Sequence, residues 1–155
     1  MEIPITIGRA TLSDLEEIVA IEESCLSSEE IVSYEFLEES IRKIADAFLV
    51  ARDENQLVGY VLRESQSLHP TWIEIRLFAI HPDHRGQGLG TLLLASLKQV
   101  AAEGEYKYLR LTCPDDLFSY FEMNGFVEEE VPEASCARFS GWDLIWANPF
   151  YQEEV

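Results

Sequence analysis

Between residues 81 and 90 the chain reads "HPDHRGQGLG", which puts three glycines and an arginine into the six positions from Arg85 to Gly90. An apolar run, "IEIRLFAI", precedes it, and a leucine-rich run, "LGTLLLASLKQV", follows. At the start of a helix each glycine costs about 1 kcal/mol relative to alanine, so Gly86, Gly88 and Gly90 imply something that needs the bare backbone. A strand, a glycine-rich turn and a helix in that order set unpaired backbone amides at the positive end of a helix dipole, which is an anion site. Without Cβ atoms, a phosphate can touch those amides. The loop is not G-x-x-x-x-G-K-[ST], because no lysine follows, and not G-x-G-x-x-G, because the spacing is G-x-G-x-G. On spacing alone, a turn merely shaped by glycines stays open beside the phosphate reading.

Metal and disulfide chemistry have less behind them. Cys25, Cys113 and Cys136 are odd in number and widely spaced, with no C-x-x-C, which suggests neither a disulfide framework nor a zinc site and fits a reducing cytosol. His69, His81 and His84 have no metal-ligand partners at suitable spacing. His81, before Pro82, and His84 read as turn-shaping or phosphate-side residues, and no metal is expected.

The elements that must position the loop follow from periodicity. "ITIGRA" reads as a first strand, and "SDLEEIVAIEESC" as a helix with Leu15, Ile18, Val19 and Ile21 near helical period, opened by a Ser13/Glu16 capping box. A second box, Ser27/Glu30, opens another helix with Ile31, Tyr34, Leu37, Ile41 and Ile44 on one stripe and a strongly acidic opposite face. "AFLVARD" and "QLVGYVLRES" are β-rich runs separated by "ENQ", whose polar residues suit a tight hairpin connection, and "TWIEIRLFAI" is a third long strand. From Leu89 the period is helical, with Leu92, Leu93, Ser96, Leu97 and Val100 on one side and Gly104 as the stop. "YKYLRLTC" is a strand, "DDLFSYFEMNG" a short helix ending at Gly125, and "WDLIWA" a last strand. Strands joined by short turns must be antiparallel, whereas the strand-helix-strand passage from 72 to 112 is a parallel crossover, so the fold class is a mixed α/β sheet.

The 155 residues form one expected domain, 1–155, with no repeat, linker or low-complexity segment. Eleven Lys and Arg against 29 Asp and Glu give a formal charge of −18. That balance speaks against nucleic acid and anionic membranes, which are bound through basic side chains. It attracts cationic small molecules or basic peptides, with a surface kept soluble by its charge as the plainer alternative. The start, "MEIPITIGRATLSDLEE", lacks the basic and apolar segments of a signal peptide, and no run approaches ~18 apolar residues, so a cytoplasmic location is expected.

"RGQGLG" resembles the R/Q-x-x-G-x-G/A signature of the GNAT superfamily of N-acetyltransferases, preceded as in that family by a strand ending "FAIHP" and followed by a leucine-rich helix. "GRATLSDLEEI" is similar to the family's first strand and helix, and "YFEMNGF" to its late helix with the Gly-Phe that starts the next strand. The resemblance implies a central mixed, mostly antiparallel twisted sheet of about six to seven strands flanked by about four helices. It implies an acetyl-CoA pyrophosphate on the amides of Arg85, Gly86, Gln87, Gly88, Leu89, Gly90 and Thr91. "IEESCLSSEE", "IADAFLVARDENQLVGYV" and "LTCPDDLFSYFEMNGF" resemble the arylalkylamine and polyamine branch, whose acceptors are small cationic primary amines. The late strands often carry dimer contacts in this family, which makes a homodimer one option.

Acetyl transfer from a thioester to an amine needs a neutral amine, a polarised carbonyl and a proton for the leaving thiolate. An alkylammonium has a pKa near 10, so a base or a water chain must deprotonate it. By the period of two, Glu74, Arg76, Phe78 and Ile80 share a face of the 72–80 strand. The resemblance implies that main-chain groups of Phe78, Ala79 and Ile80 bond the pantetheine arm and that an amide there polarises the carbonyl. In the arylalkylamine branch two histidines line the proton path on this strand. Here Glu74 and Arg76 stand in their places, and Glu74 becomes the candidate base, with a strand carboxylate paired to a basic neighbour as the alternative. The family's general acid is a tyrosine five residues before the Phe of "GF", a position held here by Phe121, which is expected among the cofactor-binding residues instead. Tyr120, one helical step away, is the candidate acid, with a packing role or protonation by water as alternatives. Cys113 reads as a buried small hydrophobe before an acetyl carrier, and Trp142 and Trp146 as sheet packing before an acceptor wall.

Overall fold

The computed structural model describes residues 5–25, 32–43, 47–65, 72–129 and 141–151. In chain order these form β1 (Ile5–Arg9), α1 (Leu15–Cys25), α2 (Tyr34–Lys43), β2 (Phe48–Asp53), β3 (Gln56–Ser65), β4 (Trp72–Ile80), α3 (Leu89–Glu103), β5 (Tyr108–Cys113), α4 (Asp115–Met123), β6 (Val127–Glu128) and β7 (Trp142–Ala147). The strands hydrogen-bond in the order β1-β2-β3-β4-β5-β7-β6. Antiparallel ladders join β1 to β2, β2 to β3, β5 to β7 and β6 to β7, and a parallel ladder joins β4 to β5. This is the mixed, mostly antiparallel sheet with four helices that the sequence implies.

The described residues fall into two compact units, Met1–Leu62 with Leu77–Leu93, and Arg63–Arg76 with Leu94–Val155. In the first, the core gathers Leu15, Ile18 and Ile21 of α1, Leu37 and Ile41 of α2, Phe48 and Val50 of β2, and Leu57, Tyr60 and Leu62 of β3 around Leu77. Each such side chain contributes about 1.5–3 kcal/mol by leaving water. The β2–β3 hairpin turns at Glu54 and Asn55 alone, since Gln56 of the expected connection already pairs with Asp53 as the first residue of β3, and Glu54 is left-handed at φ 57°.

The start of α1 corrects the sequence reading. The capping box is Thr11/Asp14 and not Ser13/Glu16: Thr11 N donates to the Asp14 carboxylate at 2.7 Å and opens a 3-10 turn, Leu12–Asp14, ahead of the helix. Buried Asp14 also pairs with Arg52 of β2, a tie that Glu16, which is exposed, does not have. The expected Ser27/Glu30 box, Ile31 and Ile44 lie outside the described residues. Within α2, Ser33 Oγ accepts from Phe36 N at 3.1 Å and serves as the cap. Leu37 and Ile41, four apart, are the buried stripe, while Tyr34 stays 49% exposed.

In the second unit β5 is central. The parallel ladder pairs Trp72, Ile73 and Glu74 with Tyr108, Leu109 and Arg110, with α3 as the connecting helix, which is the expected crossover. On α3 the buried face is Leu89, Leu93, Leu94, Leu97 and Ala101; Leu92, expected among them, is 41% exposed because it sits about 100° round the helix from Leu93 on the side away from Leu94. After Glu103 the left-handed residue is Glu105, at φ 59°, and not Gly104. Gly104 is needed for space, since a Cβ there would meet the Tyr106 ring at 2.7 Å.

Candidate active site

The loop begins where β4 ends. His81 N donates to Val58 O at 2.8 Å, continuing the bonding of β4 to β3 for one residue beyond the strand. His81 then closes the 3-10 turn Pro82–His84 twice, its Nδ1 accepting from Asp83 N at 3.1 Å and its carbonyl from His84 N at 2.9 Å. Turn shaping, one of the two roles expected of these histidines, is what His81 does here. Arg85 Nε donates back to Ile80 O at 3.3 Å, across the base of the loop.

Gly86 and Gly88 are left-handed, at φ 79° and 80°, a conformation that costs other residues about 1–2 kcal/mol. A Cβ at either would meet nothing within 4 Å, so conformation and not crowding calls for glycine. Gly90 belongs to α3, and its φ is not positive. The first helical bond runs from Leu92 N to Gly88 O at 3.1 Å. By helix geometry the N–H groups of Leu89, Gly90 and Thr91 therefore precede the first intrahelical pair, at the positive end of a 15-residue dipole. Arg85, Gly86, Gln87, Gly88 and Thr91 are exposed, Leu89 and Gly90 buried, and Phe78, Ala79 and Ile80 half-buried.

A residue that the sequence did not single out supports this loop. At Gly59 on β3 a Cβ would meet Ile80 Cδ1 at 2.8 Å, Ala79 O at 3.1 Å and Leu93 Cδ1 at 3.4 Å. Gly59 thus lets the residues flanking the loop, at the end of β4 and in the first turns of α3, close on bare backbone. A lone glycine inside the β-rich "QLVGYVLRES" was the available signal of a close approach.

Glu74 belongs to a buried charge cluster in the second unit. Its Oε1 accepts from Arg110 Nη1 at 2.9 Å; Arg110 Nε donates to Glu129 at 2.7 Å, and Arg110 Nη2 lies 3.8 Å from Asp143. Asp143 also accepts from the Thr112 hydroxyl at 2.7 Å. The Arg110 side chain has no exposure and that of Glu74 has 6%. Burial raises the Glu74 pKa to about 7, outweighing the pull of Arg110, while Asp143 and Glu129 push the same way as burial. Against the cost of burial, the same carboxylates hold Arg110 above its ordinary value. The basic partner of Glu74 is Arg110 on the neighbouring strand, so the alternative of a strand carboxylate paired to a basic neighbour is what the structure shows. Arg110, Glu129 and Asp143 were missed. The signal was an arginine inside "YLRLTC", which needs partners if both faces of its strand are covered.

The shift has a consequence for stability. An unfolded Glu74 ionises near 4.5, whereas the folded group keeps its proton to about 7. Its contribution is thus fully present below 4.5 and is lost as pH rises through 7, a change on the order of 3 kcal/mol. Urea unfolding of parent and Glu74→Gln at pH 4 and pH 8 should show the variant gaining on the parent by roughly that amount. Parallel pH profiles would contradict it.

A glycine-rich loop feeding a helix N-terminus within a mixed sheet of this order is matched at the level of sequence as well. The model of the acetyltransferase (GNAT) family matches residues 14–126. The chain belongs to this family. GNAT enzymes of solved structure share its fold. A PaiA N-acetyltransferase from Thermoplasma acidophilum, in complex with coenzyme A, is 19% identical with a TM-score of 0.77, covering 93% of this chain and 99% of the other. Ard1 from Thermoplasma volcanium is 20% identical with a TM-score of 0.78, covering 96% and 99%. A ribosomal-protein-alanine N-acetyltransferase from Escherichia coli is 15% identical with a TM-score of 0.75, covering 98% and 99%. This GNAT chain is an acetyl-CoA-dependent acetyltransferase.

The remaining expected residues of the GNAT chain lie on or beside α4. Tyr120 is half-buried, its ring 5.3 Å from that of Phe121. Phe121 is 3% exposed and packs edge-on against Phe126 at 5.7 Å. Cys113 is buried, and that burial, reinforced by the charges of Asp116 and Asp115, raises the thiol to about 11, which suits a packing role over a nucleophile. The Trp142 indole donates to Asp115 and its ring lies 4.9 Å from Phe118, while Lys98 Nζ sits 5.5 Å over the Trp146 ring. Both tryptophans therefore have packing partners. Among the described residues no helix is long and apolar enough to cross a membrane.

Proposed function

We propose that the enzyme acetylates small cationic primary amines, of arylalkylamine or polyamine type, by direct transfer in a ternary complex. The observation that carries the reading is Glu74, a buried carboxylate lifted to about 7, where it can take a proton from an ammonium group at neutral pH. The loop fits the pyrophosphate of acetyl-CoA: two left-handed glycines with open space over them precede the amides of Leu89, Gly90 and Thr91. In this reading the main chain of Arg85 to Thr91 holds the phosphates, and that of Phe78 to Ile80 aligns the pantetheine arm. Bound acetyl-CoA supplies the activated acyl group. Tyr120 returns a proton to the thiolate, and Phe121 serves by packing. A cytoplasmic setting and a homodimer through the late strands belong to the same proposal.

The charge of −18 favours a cationic acceptor. Apparent amine affinity should weaken several-fold between low and high salt, and an activity preference for anionic acceptors would count against the reading. The acidic face of α2 is less bare than its sequence implies, because Glu38 pairs with Arg42 at 3.3 Å and Glu39 with Lys43 at 2.6 Å. In a second reading the acceptor is a protein lysine or N-terminal amine, which is equally cationic. Phe121 in the position of the family's tyrosine motivates a third, a CoA-binding module without turnover. Thiol release from acetyl-CoA across a panel of amines and basic peptides separates the three. Turnover confined to small amines supports the proposal, turnover confined to peptides supports the second reading, and CoA binding without turnover supports the third.

A further inference from the structure

We propose that Arg110 is a positioning residue for proton uptake at Glu74, gripping Oε1 while it is itself held by Glu129 and Asp143, so that Oε2 is the oxygen that takes the proton. The inference rests on the reading of Glu74 as the base.

Four elements converge on the guanidinium: β4 brings Glu74, β5 Arg110, the residue after β6 Glu129, and β7 Asp143. Glu74 and Arg110 are direct register partners at the last pair of the β4–β5 ladder, which fixes their backbones opposite each other. If all three carboxylates were ionised, one arginine would face three negative charges in a largely buried site. Binding one proton is the least costly relief.

The partners decide which carboxylate takes it. Glu129 has the shorter bond to Arg110, at 2.7 Å. Asp143 has the Thr112 hydroxyl and the most exposed side chain of the three, at 22%. Glu74 has one bond, at 2.9 Å, and its Oε2 is buried with no hydrogen-bond partner among the described residues. An ionised oxygen without a donor costs more there than a neutral hydroxyl does. When Glu74 is a carboxylate, Oε2 accepts the proton of the acceptor ammonium, directly or through water. The N–H bond breaks, its electron pair stays on nitrogen as the nucleophilic lone pair, and an O–H bond forms on Glu74. The cluster gains one positive charge and the amine loses one.

The test follows Glu74 itself and turnover together. In full-length protein with ¹³C-carboxyl glutamate, the Glu74 signal is assigned by its loss in Glu74→Gln, and its titration midpoint is compared between parent and Glu129→Gln. Removing the Glu129 charge also frees Arg110 to grip Glu74 more tightly. The midpoint should fall by about one pH unit, and the acidic limb of the kcat profile should move with it. Arg110→Lys keeps the charge without the fork geometry, so kcat should fall about ten-fold or more with KM for acetyl-CoA unchanged. An unmoved NMR midpoint in Glu129→Gln overturns the inference. A midpoint that moves while the activity profile stays fixed upholds the grip of Arg110 on Glu74 and instead sinks Glu74 as the base.

Discussion

Glu74→Gln is expected to lower turnover about 100-fold at pH 7 while leaving CoA affinity intact. Glutamine keeps the shape of the side chain and an oxygen for Arg110 Nη1, but it takes up no proton. With a folded pKa of about 7, the parent group is roughly half carboxylate at neutral pH, which is where a base combines availability with driving force. The deficit should shrink as pH rises, because more of the amine arrives already neutral. A pH-rate profile of both proteins with one amine is the measurement. A glutamine variant matching the parent in both rate and pH dependence removes Glu74 from the chemistry and leaves solvent as the base.

Gly88→Val is expected to weaken CoA binding at least ten-fold in a protein that still folds. Gly88 is left-handed and caps α3, and a β-branched residue is strained at φ 80° whatever the space around it. Relief of that strain turns the first-turn amides away from a shared anion. The branched side chain also stands over the amides where a phosphate is expected. The fold should survive because a Cβ there meets nothing of the protein within 4 Å. Calorimetric titration with CoA checks it, and unchanged affinity in a folded variant would remove the loop from cofactor binding.

How much of this was legible depends on how far apart in sequence the deciding groups lie. The loop could be read because its signal is local: a strand, two glycines able to adopt positive φ, and a helical period follow one another within residues 72–103. The strand-helix-strand crossover could be read for the same reason. The charge cluster could not, since Arg110 meets partners 36 and 19 residues away, and alternation along "YLRLTC" gives no sign that both sides of β5 are covered. The start of α1 went astray for a different reason. Thr11/Asp14 and Ser13/Glu16 have the same box spacing, and only the pairing of Asp14 with Arg52 of β2 separates them. Leu92 shows the limit of counting apolar residues on a helix rich in them: with leucines at 89, 92, 93, 94 and 97, composition alone fits more than one buried face.

The bare backbone of Gly59 has a consequence for how damage to this enzyme would present itself. Ala79 and Ile80, which crowd it, stand at the close of β4, where the loop begins, while Leu93 of α3 lies at ordinary contact distance. A methyl group added on β3 would displace the tip of the Ile80 side chain and press on the Ala79 carbonyl. An alanine at this position would therefore look like a lesion of the loop proposed to hold acetyl-CoA, although no atom of residue 59 belongs to that loop. A map of tolerated substitutions would group Gly59 with Gly86 and Gly88 by phenotype, for a reason of space where theirs is one of backbone angle.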